Sequence, residues 1–266
     1  MRKTMLRRAA ALIGAAVFAA AVPALSATPA AAADSAYLRA GQRLDPGASI
    51  SSGESRLVMQ GDGNLVLYLV GSYGQNAVPL WASGTYNNWG AYAVMQADGN
   101  FVIYRQNGSG PGDALWSSGT WGSQGAYVQL LDGSFYVNGS PRRWESGTGH
   151  RAVFDRMGGL ASGQYVASNS VWLVMQLDGN LVLYRKRDGA GLWSTGTWRY
   201  PGAVTTVSYN TGELSVWRMQ GPAGTLWSNH VTDPSGATPK VQDDGNFVLY
   251  NGQGWPIWAS GTYGNW

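Results

Sequence analysis

Residues 60–68 read QGDGNLVLY, and the phrase returns as QADGNFVIY at 96–104, QLDGNLVLY at 176–184 and QDDGNFVLY at 242–250. A packed strand needs alternating apolar residues, but it does not need the same amide, carboxylate and phenol each time. The Asp-Gly pair between apolar runs signals a hairpin. Two loop lengths compete. A two-residue loop opposes Gln60 to Leu65. A three-residue loop, closed by a glycine in the left-handed region, opposes Gln60 to Asn64 and Val58 to Val66. The recurrence of residue types favours the second. It puts Gln60, Asn64, Val66 and Tyr68 on one face, with Asp62 at the turn, and points Leu65 and Leu67 to the core.

That face is a shallow polar patch around one small apolar side chain. Asp only accepts hydrogen bonds, Asn and Gln both donate and accept, and Tyr does either. Such a set suits adjacent sugar hydroxyls, with valine against the C–H face of the ring. Each patch has one carboxylate, which argues against the paired acid and base of glycoside hydrolysis. His150 and His230 lie outside the motifs and read as loop residues. A calcium loop is disfavoured, because the ligand series and its closing Glu are missing.

Two worn copies lie between the intact ones: LLDGSFYVN at 130–138 and YNTGELSVW at 209–217. They lack most of the polar set and are expected to be silent. The six starts are 36, 34, 46, 33 and 33 residues apart, so one long step splits six repeats into two groups of three. A tryptophan phrase closes each repeat: LWASGT at Trp81, LWSSGT at Trp116, RWESGT at Trp144, LWSTGT at Trp193, LWSNHV at Trp227 and IWASGT at Trp258. These six Trp are expected to fill the core where three repeats meet. Short apolar blocks, glycine-rich turns and no 3.6-residue period make the chain all-β.

The first 33 residues resemble a signal peptide, with Arg2, Lys3, Arg7 and Arg8 before an Ala-rich apolar run. Cleavage is expected after Ala33, with Ala27 as the alternative, and the mature chain is expected to be secreted. Arg7-Arg8 only hints at twin-arginine export. The leader takes four of the 18 basic residues, leaving 14 against 15 acidic ones, so no nucleic-acid footprint remains. The leader is too Ala-rich, and too broken at Pro23, to suggest membrane insertion. There is no Cys, so packing must hold the fold without disulfides.

The pattern Q-x-D-x-N-x-V-x-Y, complete in four places, resembles the mannose-binding signature of the bulb-type, or monocot mannose-binding, lectin family. YLRAGQRLDPG at 37–47 and the LWASGT phrases resemble it too, so the similarity spans residues 36–266. The resemblance implies two tandem β-prism II domains, 34–150 and 151–266, each with three sheets around a pseudo-threefold axis. It implies that Asp62 and Asn64 reach the mannose 2-hydroxyl, Gln60 the 3-hydroxyl and Tyr68 the 4-hydroxyl, while Val66 packs on ring carbons. The same roles fall on Asp98, Asn100, Gln96, Tyr104 and Val102. They fall again on Asp178, Asn180, Gln176, Tyr184 and Val182, and on Asp244, Asn246, Gln242, Tyr250 and Val248. It implies no cofactor, no metal and no enzymatic activity. The implied partners are mannose-containing glycans or cell-surface polysaccharide, with a homodimer possible and the closing strands of the domains exchanged. Plant members carry a disulfide that this chain cannot form. Tandem bacterial members include lectin-like bacteriocins, the alternative function; a killing assay on related bacteria separates the two.

Overall fold

Every intact motif folds as an antiparallel hairpin with a three-residue loop. Met59 faces Leu65 and Val58 faces Val66. The Gln60 N–H donates to the Asn64 carbonyl at 2.8 Å, and the Gly63 N–H donates to the Gln60 carbonyl at 3.1 Å. The same two bonds recur at 96–100, 176–180 and 242–246. Gly63 closes the loop at φ +90°, where only glycine is comfortable. A Cβ there would also strike the Asn88 carbonyl. Leu65, Leu67 and Leu69 are fully buried, while Val66 and Tyr68 lie on the opposite face.

The computed structural model describes residues 36–71, 77–151, 154, 159–208 and 210–266. The leader and both expected cleavage points lie outside them. The described residues contain no α-helix, only strands and one short 3-10 turn at Pro111–Asp113. Among the described residues six sheets form, three in each half. The fold is that of two tandem β-prism II units, as the family resemblance implies.

Each sheet is built on one repeat hairpin and the tryptophan strand that follows it. In the first half the opening segment supplies the remaining strands in turn. Tyr37–Leu38 pairs with Tyr127–Leu131, Arg43–Leu44 with Tyr92–Met95, and Ser49–Ser52 with Ser55–Met59. In the second half, Gly159–Leu160 pairs with Val204–Val207, and Gln164–Ala167 with Val171–Met175. The sheet at 237–259 has three strands among the described residues. Phe154, just upstream of these strands, stacks on Phe247 of that sheet at 6.3 Å.

The tryptophans meet on the pseudo-threefold axes. Trp81, Trp116 and Trp144 are edge-to-face in pairs, with ring centroids 5.2–5.6 Å apart. Trp193, Trp227 and Trp258 repeat this at 5.4–6.2 Å. They pack against two separate apolar clusters, one per half, but are half-buried rather than sealed.

The expected exchange of closing strands occurs in one direction only. Trp144–Glu145 pairs with its own hairpin at Tyr136–Val137, and Pro256–Ala259 with its own at 248–250. Gly149–His150 instead runs forward to lie parallel to Gln164–Tyr165. Deleting residues 257–266 is therefore expected to lower the unfolding midpoint of the second half and leave the first unchanged, as followed by half-specific Trp→Phe reporters.

One strand departs from the pattern. Val171–Met175 reads VWLVM and is buried on both faces. Val171, Leu173 and Met175 join the second-half core, whereas Trp172, Val174 and the neighbouring Tyr165 join the first-half core. The Trp172 Nε1–H donates to Glu54 at 2.8 Å, and the Lys186 ammonium meets the same carboxylate at 3.0 Å. The two halves thus meet on a packed apolar seam capped by an ion pair.

Candidate carbohydrate-binding site

The hairpin places Gln60 beside Tyr68, and the Gln60 Nε2 donates to the Tyr68 hydroxyl at 2.8 Å. The bond is 3.0 Å at Gln96–Tyr104, 2.7 Å at Gln176–Tyr184 and 2.9 Å at Gln242–Tyr250. A phenol that accepts from Gln keeps its own proton to donate outward. Each aspartate folds back as an Asx turn. Asp62 accepts from the Asn64 N–H at 2.9 Å, and Asp98, Asp178 and Asp244 accept from Asn100, Asn180 and Asn246 at the same distance. One carboxylate oxygen is engaged and the other stays available.

The asparagine is anchored from behind by hydroxyl residues of the tryptophan phrase. The Asn64 Oδ1 accepts from the Ser83 hydroxyl at 3.0 Å and the Thr85 N–H at 3.2 Å. Asn100 takes the same pair from Ser118 and Thr120, Asn180 from Thr195 and Thr197, and Asn246 from Ser260 and Thr262. A backbone N–H can only donate, so these bonds fix which amide atom is oxygen. The Nδ2 group is left to donate into the patch. The Ser and Thr of the tryptophan phrase are thus positioning residues. Their signal was the SGT that follows a tryptophan in three of the four intact repeats, with TGT in the fourth.

The structure brings together all twenty expected residues as four patches of five. Valine contributes less surface than expected: Val66, Val102, Val182 and Val248 are on the patch face but buried. They form a floor more than a contact. The patch at 176–184 differs from the others, because Trp172 and Val174, cross-strand neighbours of its Tyr184 and Val182, are sealed by the first half.

The worn copies fail for visible reasons. At 130–138 the loop has lost a residue: Leu131 faces Ser134, and Asp132 and Gly133 both take positive φ. Leu130 therefore falls on a core position facing Phe135, not on the Gln position. Tyr136 occupies the valine position, and Asn138 donates to Gln129 at 2.9 Å. In the other copy the loop has gained a residue. The Ser208 N–H donates to the Glu213 carbonyl at 2.8 Å, so Ser208, not Tyr209, holds the Gln position. Tyr209 lies outside the described residues. Glu213 replaces Asn and accepts from Ser228, while Trp217 stands in for Tyr.

Burial sets the electrostatics. Desolvation raises the Tyr68 hydroxyl pKa against the Gln60 hydrogen bond, and Asp62 adds to the rise. Tyr184 is pushed up to about 12, first by desolvation and then by Asp178. Both stay protonated donors at ordinary pH. Asp178 is raised by desolvation, against the hydrogen bond from the Asn180 N–H. Its ionised acceptor form therefore exists above a raised pKa and is lost as pH falls through it. NMR titration of the Asp178 carboxyl carbon is expected to show its inflection above the ordinary Asp value of about 3.9. An inflection at or below that value would contradict the desolvation. Among the described residues no cluster of His, Cys, Asp and Glu could hold a metal ion.

No family model and no curated protein matches the chain. Solved structures do. A monomeric monocot mannose-binding lectin from Gastrodia elata is 36% identical over 97% of its own length and 43% of this chain, with a TM-score of 0.35. By fold, the chain belongs with the monocot mannose-binding lectins. The fetuin-binding two-domain lectin of Scilla campanulata is 26% identical over 99% of its length and 85% of this chain, with a TM-score of 0.33. The mannose-specific snowdrop (Galanthus nivalis) agglutinin, solved with methyl-α-D-mannoside, is 29% identical over 93% of its length and 44% of this chain, with a TM-score of 0.30.

Proposed function

We propose that the protein is a secreted, non-enzymatic lectin that binds mannose-type sugars directly, without metal, through four pockets on two tandem domains, 34–150 and 151–266. The observation that carries this reading is the fourfold recurrence of one hydrogen-bond set. In each pocket a Tyr hydroxyl and an Asn Nδ2 are left to donate while an Asp oxygen is left to accept. Adjacent equatorial and axial hydroxyls of a pyranose are complementary to that set. The sugars named for the Gastrodia and snowdrop lectins agree with it. Each pocket is shallow, so monosaccharide affinity is expected near millimolar, roughly −4 kcal/mol. A surface that engages two pockets at once gains ~10²–10⁴ in avidity where the spacing permits.

Titration of the mature chain, residues 34–266, with methyl α-mannoside is expected to give a stoichiometry near four, unchanged by chelator. Binding that requires calcium would overturn direct recognition. A stoichiometry of six would show that the worn pockets work.

A further inference from the structure

The four intact pockets share a feature that the hydrogen-bond set does not use. The fifth residue after the tryptophan of each closing phrase is Tyr86, Trp121, Trp198 or Tyr263 in the intact repeats. In the two worn repeats the same place holds Gly149 and Thr232. All four aromatics are exposed, at 60%, 56%, 42% and 75%. Single exposed aromatics need no explanation. Rings kept in water only where a pocket survives do need one, and core packing cannot supply it.

Their place is fixed on both sides. The residue before each is the Thr whose N–H donates to the pocket Asn Oδ1, at 3.1–3.2 Å in all four copies. The aromatic Cα therefore lies one residue, about 3.8 Å, past that Thr Cα. Just downstream, the Asn88 N–H is tied to the Asp62 carbonyl at 2.9 Å, Gly122 to Asp98 at 2.8 Å, Tyr200 to Asp178 at 3.0 Å and Gly264 to Asp244 at 2.9 Å. Each ring thus stands between two anchors on the hairpin of its own pocket. Two rings are also steadied by a guanidinium, Arg142 at 3.5 Å from Trp121 and Arg199 at 4.4 Å from Trp198.

We propose that these aromatics form a second subsite, a stacking platform for the C–H face of the sugar unit that adjoins the one held in the pocket. This deepens the lectin reading and rests on it. The π face is negative and the pyranose C–H groups are weakly positive, so the contact adds attraction to apolar burial. The protein would therefore prefer oligosaccharides to single sugars within one pocket.

The test is the set Tyr86→Ala, Trp121→Ala, Trp198→Ala and Tyr263→Ala in the mature chain, titrated with methyl α-mannoside and with an α-linked mannotriose. Methyl α-mannoside affinity should stay within twofold, while mannotriose affinity falls about tenfold to the monosaccharide level. A matching set of Phe substitutions should keep mannotriose affinity within threefold. Unchanged mannotriose binding in the Ala set would overturn the platform. Loss of methyl α-mannoside binding in a folded Ala set would overturn it too, by placing the rings in the primary pocket. If the Ala set does not fold, Tyr263→Ala alone should weaken mannotriose at one site in four, and four unaltered sites would overturn the proposal. Failure of the unmodified chain to bind either sugar would sink the lectin reading itself, a result separable from all of these.

Discussion

Replacing Asn64, Asn100, Asn180 and Asn246 together by Asp is expected to abolish methyl α-mannoside binding and leave the fold standing. Asp keeps an oxygen where the Ser83 hydroxyl and Thr85 N–H are received. It exchanges the outward Nδ2 donor for a second acceptor, next to the carboxylate already at Asp62. A sugar hydroxyl loses its donor and meets extra negative charge, a cost of about 1–3 kcal/mol per pocket and so roughly tenfold to hundredfold in affinity. From a millimolar start, that is no measurable binding. Ala is the poorer test, because it would orphan two donors behind each pocket and confound lost binding with lost stability. Circular dichroism and calorimetric titration of the Asp set check both halves of the expectation. Retained binding in the folded protein would mean that Asn does not donate to the ligand.

The second large effect is on stability. Trp172→Ala should cost about 3–5 kcal/mol, as a fully buried Trp truncation. The residue belongs to the second half by sequence but packs into the first-half core. Urea unfolding is therefore expected to show both halves shifted, not one. Trp172→Phe keeps most of the ring and drops the bond to Glu54, for about 1 kcal/mol. A change under 1 kcal/mol for Trp172→Ala would show that the seam between the halves is not a packed one.

The hairpin geometry was legible in the sequence because side chains in a strand alternate with a period of two, and only one loop length puts Gln60, Asn64, Val66 and Tyr68 on one face. The worn copies were legible as damaged but not in register. A loop one residue shorter or longer leaves no mark once Gln and Asn are gone, so Leu130 and Tyr209 were set on positions that Gln129–Leu131 and Ser208 divide differently. The anchors behind Asn64 were missed because Ser83 and Thr85 sit beside Trp81, and the phrase was read for its tryptophan alone. The seam between the halves did leave a signal. VWLVM has no polar alternate, unlike SRLVM in the first half, and an unbroken apolar strand reads as one covered on both faces. The strand exchange implied by the family pattern had no such signal: Gly149–His150 crosses to the second half, whereas Pro256–Ala259 stays with its own repeat.

The opening segment of the first half also sets a timetable. Its three short strands thread the three sheets in reverse, so the earliest, Tyr37–Leu38, pairs with Val128 and Gln129, the latest repeat to be made. The ribosome therefore delivers the latch long before the door it closes. The third sheet of this half cannot close until some ninety residues more have emerged, and such distant pairing is slow to form. A nascent chain stopped at residue 124 would carry two complete repeats and an N-terminal strand with nowhere to go. Pulling on that chain should find no complete three-sheet unit, whereas one from which residue 150 has emerged should fold.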